Sequence, residues 1–119
     1  MQQDPIQILH VDDNANFGDL TATYLEKEDD RFSVETATSA GEGIDIISHR
    51  PPDCVISDYD MPEMNGITFL DAVRQEFPDL PFILFTGKGS EKVASDAISA
   101  DVTDYLQKES GTEQYTIRL

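Results

Sequence analysis

The sequence is short of cysteine, of cations and of long apolar runs, and each shortage removes a class of protein. Cys54 is the sole cysteine. It excludes an internal disulfide and a cysteine-built metal site, and its place in an apolar run reads as inert burial. Lysine and arginine number 8 against 24 aspartates and glutamates, for a formal net charge of -16. A surface of that sign repels phosphate backbones, which excludes direct binding to nucleic acid. Apolar runs stay short, Phe82 to Phe85 being typical, whereas a membrane span needs about 20 apolar residues. Met1 to Pro5 has neither the basic flank nor the apolar stretch of a signal peptide. The expectation is a cytoplasmic protein with no membrane contact. At 119 residues, 39% of them hydrophobic, the chain can bury one core but has no room for a second domain.

No repeat, low-complexity tract or linker interrupts the chain. Strand-like and helix-like segments alternate: a strand over Ile6 to Val11, then a helix over Asn14 to Glu28 with Phe17, Leu20 and Tyr24 on one face. Phe32 to Ala37 reads as a strand. Ser39 opens a helix, with Glu42 completing a capping box and Pro51-Pro52 stopping it. Its apolar face includes Ile44 and Ile47. Cys54 to Ser57 is the third strand. Gly66 to Phe77 is a helix carrying Ile67, Leu70, Val73 and Phe77. Phe82 to Phe85 is apolar at every position, which suits a central parallel strand covered on both faces. Ser90 caps a helix with Val93, Ala94, Ala97 and Ile98 inside, Asp104 to Gln107 is a fifth strand, and Gly111 and Thr112 open a last, short helix. Strict alternation predicts a flavodoxin-like, doubly wound α/β fold. Its five-stranded parallel sheet has the order 2-1-3-4-5, with helices on both faces.

Ligands in such folds sit outside the carboxyl ends of the strands. Asp12 and Asp13 follow strand one, Asp58 follows strand three within Ser57-Asp58-Tyr59-Asp60-Met61-Pro62, Thr86 and Gly87 follow strand four, and Lys108 ends strand five. Carboxylates brought that close repel, by about 4 kcal/mol per pair at 4 Å in an effective dielectric near 20. A hard dication removes the cost. Mg²⁺ takes oxygen ligands, commonly one or two carboxylates plus phosphate oxygens. Asp58 is then the candidate nucleophile toward phosphorus. Lys108 and the Thr86 hydroxyl suit the oxygens of the transferring group, and Gly87 leaves the backbone open for close approach.

These segments resemble the response-regulator receiver family of two-component signalling systems, over Ile6 to Thr116. The resemblance rests on His10-Val11-Asp12-Asp13-Asn14, on Asp58-x-x-Met61-Pro62 with Met64-Asn65-Gly66, on Phe85-Thr86-Gly87, and on Asp104-Tyr105-Leu106-x-Lys108. It implies that Asp58 is the phosphoacceptor and that Asp12 and Asp13 form an acidic pair, Asp13 being the direct Mg²⁺ ligand. The backbone carbonyl of Asp60 is implied as a further ligand, with Mn²⁺ able to substitute for the metal. Thr86 and Tyr105 are implied as a switch pair. The implied protein is a regulatory phosphoacceptor rather than an enzyme, catalysing only its own phosphorylation and dephosphorylation. Its implied phosphodonor is a sensor histidine kinase or histidine phosphotransfer protein. The expected state is a monomer or weak dimer, and an output domain beyond Leu119 stays open.

The sequence departs from the family pattern at Glu109, where proline is usual after the lysine, and at Asn65, where aspartate is common. Asp60 is an extra carboxylate beside the acceptor. The receiver domain is read over residues 1–119, with a last helix short enough to leave truncation open. The acid-rich, lysine-poor surface is similar to that of proteins from halophilic microbes and implies such an origin.

The rival reading is a haloacid-dehalogenase-type Mg²⁺-dependent phosphatase with Asp58 as nucleophile. Asp58-Tyr59-Asp60 mimics its motif. In that class, however, the acidic pair follows the nucleophile along the chain, and here Asp12-Asp13 comes first.

Overall fold

The computed structural model describes residues 4–86 and 91–107, with side chains over 4–85 and 95–104. Its elements in order are β1 (Ile6–Val11), α1 (Ala15–Glu28), β2 (Phe32–Ala37), α2 (Ala40–His49), β3 (Cys54–Asp58), α3 (Gly66–Glu76), β4 (Phe82–Thr86), α4 (Glu91–Ser99) and β5 (Asp104–Gln107). The strands are all parallel and lie in the order β2-β1-β3-β4-β5, as the alternation predicts. The expected last helix lies outside the described residues, as do Ser90 as a cap and Glu109.

Two-residue periodicity sorts the strand side chains into two cores. Ile8, Ile56, Ile83 and Phe85 gather on one side with Leu25 of α1. Leu9, Val11, Val55, Phe82 and Leu84 gather on the other with Ile47 of α2 and with Phe69, Leu70 and Val73 of α3. The continuous apolar run of β4 is thereby split between the two faces, and Phe82 meets Phe69 edge-on at 5.4 Å between ring centres. Phe69, fully buried in α3, belongs to the core although the periodicity did not single it out.

The helices begin where their first N–H groups find side-chain acceptors. Asn14 accepts from Phe17 N–H at 3.1 Å, Ser39 from Glu42 N–H at 3.1 Å and Asn65 from Thr68 N–H at 2.9 Å. The return bond of the expected capping box reaches one residue further back: Glu42 Oε1 accepts from Thr38 N–H at 3.0 Å.

Two core expectations are corrected. Leu20 is 46% exposed and Ile98 is 74% exposed. In α1 the buried positions are Gly18, Thr21 and Leu25, one residue on from the expected stripe of Phe17, Leu20 and Tyr24. Gly18 faces β1 and β2, where a Cβ would meet His10 Nδ1 at 3.5 Å and Thr36 Cγ2 at 3.7 Å, both ordinary contact distances. In α4 the small side chain of Ala97 is fully buried, and Ile98 beside it is turned outward.

Candidate functional site

Register builds the site. In the β1–β3 ladder Val11 pairs with Ser57, so the next residues, Asp12 and Asp58, leave the sheet side by side at its carboxyl edge. Asp13 follows directly. Carboxylate oxygens of Asp12, Asp13 and Asp58 all lie within 4.8 Å of one another. Asp12 is 2% exposed and Asp58 is 7% exposed, while Asp13 faces solvent. Bringing the two buried carboxylates together costs roughly 3–4 kcal/mol at an effective dielectric near 20.

Main-chain donors aim these carboxylates. Asn14 N–H donates to Asp12 Oδ1 at 2.9 Å, and Tyr59 N–H donates to Asp58 Oδ1 at 2.9 Å. The backbone that carries Asp58 is held in turn: the Ser57 hydroxyl donates to the Asp58 carbonyl at 2.9 Å, and Gly66 N–H donates to the Tyr59 carbonyl at 2.9 Å. The loop between β3 and α3 is pinned by buried Met61 and passes through Glu63 at φ 71°.

Asp60 is exposed, and its side chain is not among the three gathered carboxylates. His10 is buried, with its ring centre 5.9 Å from that of Phe17, and packs in the core rather than joining the cluster. Thr86 ends β4 opposite Gln107, and Tyr105 lies in β5 opposite Leu84. Gly87 and Lys108, and the side chains of Thr86 and Tyr105, lie outside the described residues.

The donor set consists of oxygens alone, clustered and negatively charged, which fits a hard dication such as Mg²⁺ better than a metal that prefers nitrogen or sulfur. Gly66 is the neighbour whose closeness to Asp58 sequence reasoning missed. In the sequence Gly66 is marked only by its place in Met64-Asn65-Gly66, since what it meets lies across the fold.

Comparisons with known proteins agree with this geometry. Residues 8–119 match the family model described as the response regulator receiver domain. The photosynthetic apparatus regulatory protein RegA of Cereibacter sphaeroides is 33% identical over 109 residues, which cover 92% of this chain and 58% of RegA. The response regulator SaeR of Staphylococcus aureus is 31% identical over 112 residues, covering 94% of this chain and 48% of SaeR. The chain thus spans about half the length of these relatives. The crystal structure of a CheY-like receiver domain protein from Methanospirillum hungatei superposes with a TM-score of 0.82 at 30% identity, over 88% of this chain and 82% of that one. Sheet order, clustered carboxylates and sequence agree, and the chain belongs to the response regulator receiver domain family.

Proposed function

We propose that the chain is a phosphorylation-dependent switch whose phosphoacceptor is Asp58, working with a divalent cation held by Asp12, Asp13, Asp58 and the backbone carbonyl of Asp60. The observation that carries this reading is the gathering of the three carboxylates within 4.8 Å at the carboxyl edge of the sheet. A bound Mg²⁺ supplies neutralisation of these charges and of the phosphoryl oxygens. A carboxylate oxygen of Asp58 forms a bond to phosphorus as the bond from phosphorus to the leaving atom breaks. The leaving atom keeps the electron pair; it is an imidazole nitrogen of a phosphohistidine donor or an acetate oxygen of acetyl phosphate. The hydrogen bond from Tyr59 N–H holds the Asp58 carboxylate in one orientation for that attack.

By family pattern, Lys108 and Thr86 serve the transferred oxygens, Gly87 leaves room for them, and Thr86 with Tyr105 carries the change to the surface. The donor is a histidine kinase or phosphotransfer protein. The readout is a partner surface or an output domain, as expected where the relatives are about twice as long. By family pattern such a switch works in the cytoplasm; no helix among the described residues is long and apolar enough to cross a membrane.

Acetyl phosphate with Mg²⁺ should label one site, and Asp58→Asn should lose the label. Labelling of that variant at another aspartate would overturn the assignment. In the same tube, many turnovers of a generic phosphate ester would favour the phosphatase reading, which the position of Asp12-Asp13 ahead of Asp58 opposes.

A further inference from the structure

Asp58 stands against the first turn of α3 through its main chain. A Cβ placed on Gly66 would fall on the Asp58 carbonyl oxygen, 2.7 Å from Leu84 Cδ1 and 3.1 Å from Tyr59 Cα. Leu84 is a flexible side chain and can yield. The Asp58 carbonyl and the Tyr59 Cα are main chain, and the hydrogen bond from Gly66 N–H to Tyr59 O ties the next peptide along to the same residue. α3 is held against the sheet by buried Phe69, Leu70 and Val73, so its first turn cannot draw back from the loop without opening the core. Relief of an added methyl must therefore come from the Asp58–Tyr59 backbone. That backbone carries the Tyr59 N–H that orients the Asp58 carboxylate.

We infer that Gly66 is a positioning residue for phosphoryl transfer: by lacking a side chain it lets α3 abut the Asp58–Tyr59 peptide and so sets where the Asp58 carboxylate sits relative to Asp12 and Asp13. The inference rests on Asp58 being the phosphoacceptor. It assigns Gly66 a role in rate and metal binding, beyond a role in forming a turn.

The test compares wild type, Gly66→Ala and Val73→Ala. Val73 is buried two turns further along the same helix, so its truncation weakens α3 without adding bulk beside Asp58. All three are labelled with acetyl phosphate at a temperature where circular dichroism shows each folded, and Mn²⁺ affinity is read separately by electron paramagnetic resonance. Gly66→Ala should slow labelling at saturating metal by about tenfold or more and weaken Mn²⁺ binding, because misplacing a reacting group by a fraction of an ångström is enough for such a loss. Val73→Ala should lower the melting temperature and leave both readouts within about twofold of wild type, as a change that only destabilises the fold does.

If Gly66→Ala does not fold, Leu84→Val is compared with Leu84→Val/Gly66→Ala. This removes the Leu84 Cδ1 contact and leaves the clash with Asp58. Labelling and metal affinity in the alanine variant equal to its parent, or losses matched by Val73→Ala, would overturn the inference while Asp58 remains the acceptor. Wild type that takes no label at Asp58 would overturn both.

Discussion

Thr103 and Phe82 hold each other twice: Phe82 N–H donates to the Thr103 hydroxyl at 2.9 Å, and Thr103 N–H donates to the Phe82 carbonyl at 2.9 Å. This pair fixes where β4 and β5 begin, at the edge of the sheet opposite the carboxylates. Arg74, only 13% exposed at its side chain, reaches the same place. Its guanidinium donates to the carbonyls of Phe77, Leu80 and Asp101 and approaches the Thr103 hydroxyl at 3.4 Å. One planar fork thus joins the end of α3, the turn into β4 and the turn into β5.

Arg74→Ala should therefore cost about 2–3 kcal/mol, because three carbonyls lose a charged donor. In a chain of this size that is a melting temperature lower by roughly 8–12 °C. Arg74→Lys should recover less than half, since an ammonium is a point donor and cannot span the three carbonyls. Urea melts of the three proteins measure this. A loss below about 0.5 kcal/mol for the alanine variant would place Arg74 with ordinary surface arginines.

Asp101 ends α4 in the left-handed region, at φ 67°. Asp101 N–H donates to Ile98 O and Val102 N–H donates to Ala97 O, both at 3.1 Å. This is the paired bonding of a Schellman motif, whose left-handed position favours glycine. Asp101→Gly should raise stability by about 1 kcal/mol. Asp101→Ala removes the same charge and keeps the Cβ, so it should give no such gain. Equal stabilisation by the two would trace the effect to charge rather than to backbone conformation.

The Cys54 thiol is pushed up to about 11 by burial first and by the nearby Asp53 charge second. From an ordinary value of 9.0, this means about 100-fold less thiolate at neutral pH, a factor of ten per unit. Iodoacetamide should accordingly label the folded protein at pH 8 about 100-fold more slowly than the urea-unfolded chain. The sign for stability follows from a raised value: below about 9 the thiol is neutral in both states and its contribution is whole. As pH climbs toward about 11 the unfolded chain ionises first and stability falls. Cys54→Ala should lose that component of the alkaline decline. Rapid labelling of the folded protein at pH 8 would show a reactive thiol.

What the sequence made legible follows the strength of its periodic signals. Strand order and the convergence of Asp12, Asp13 and Asp58 came from strict alternation, because a parallel sheet puts every strand's carboxyl end at one edge. Helix rotation was not legible. Leu20 and Ile98 fit a helical stripe on paper, but α1 turns Gly18, Thr21 and Leu25 inward and α4 turns Ala97 inward. Phe69 and Gly66 were hidden for a related reason: their roles are set by what lies across the sheet–helix gap, Phe82 for one and the Asp58 backbone for the other. Arg74 gave no local sign, since its carbonyl partners come from the turn after α3, at Phe77 and Leu80, and from the turn into β5, at Asp101.

Charge gives the last prediction. A formal charge of -16 on 119 residues crowds like charges over the surface, and two buried carboxylates plus an exposed one add a local concentration at the site. At 0.01 M salt the screening length is about 30 Å and repulsion acts across the whole domain; at 1 M it is about 3 Å and only near neighbours repel. The unfolded chain holds the same charges further apart, so salt should stabilise the fold. The melting temperature should rise steadily with KCl to molar levels. Millimolar Mg²⁺ should add a separate increment, because a dication binds the folded cluster and not the dispersed chain. That increment should vanish in an Asp12→Ala, Asp13→Ala double variant. Without metal and at low salt, Asp13→Asn should melt above wild type, because one of three mutually repelling carboxylates is gone. Thermal melts in a KCl series, with and without Mg²⁺, decide between the two effects. A flat response to KCl would defeat the halophilic reading, whereas a Mg²⁺ increment that survives the double variant would defeat Asp12 and Asp13 as the cation's holders.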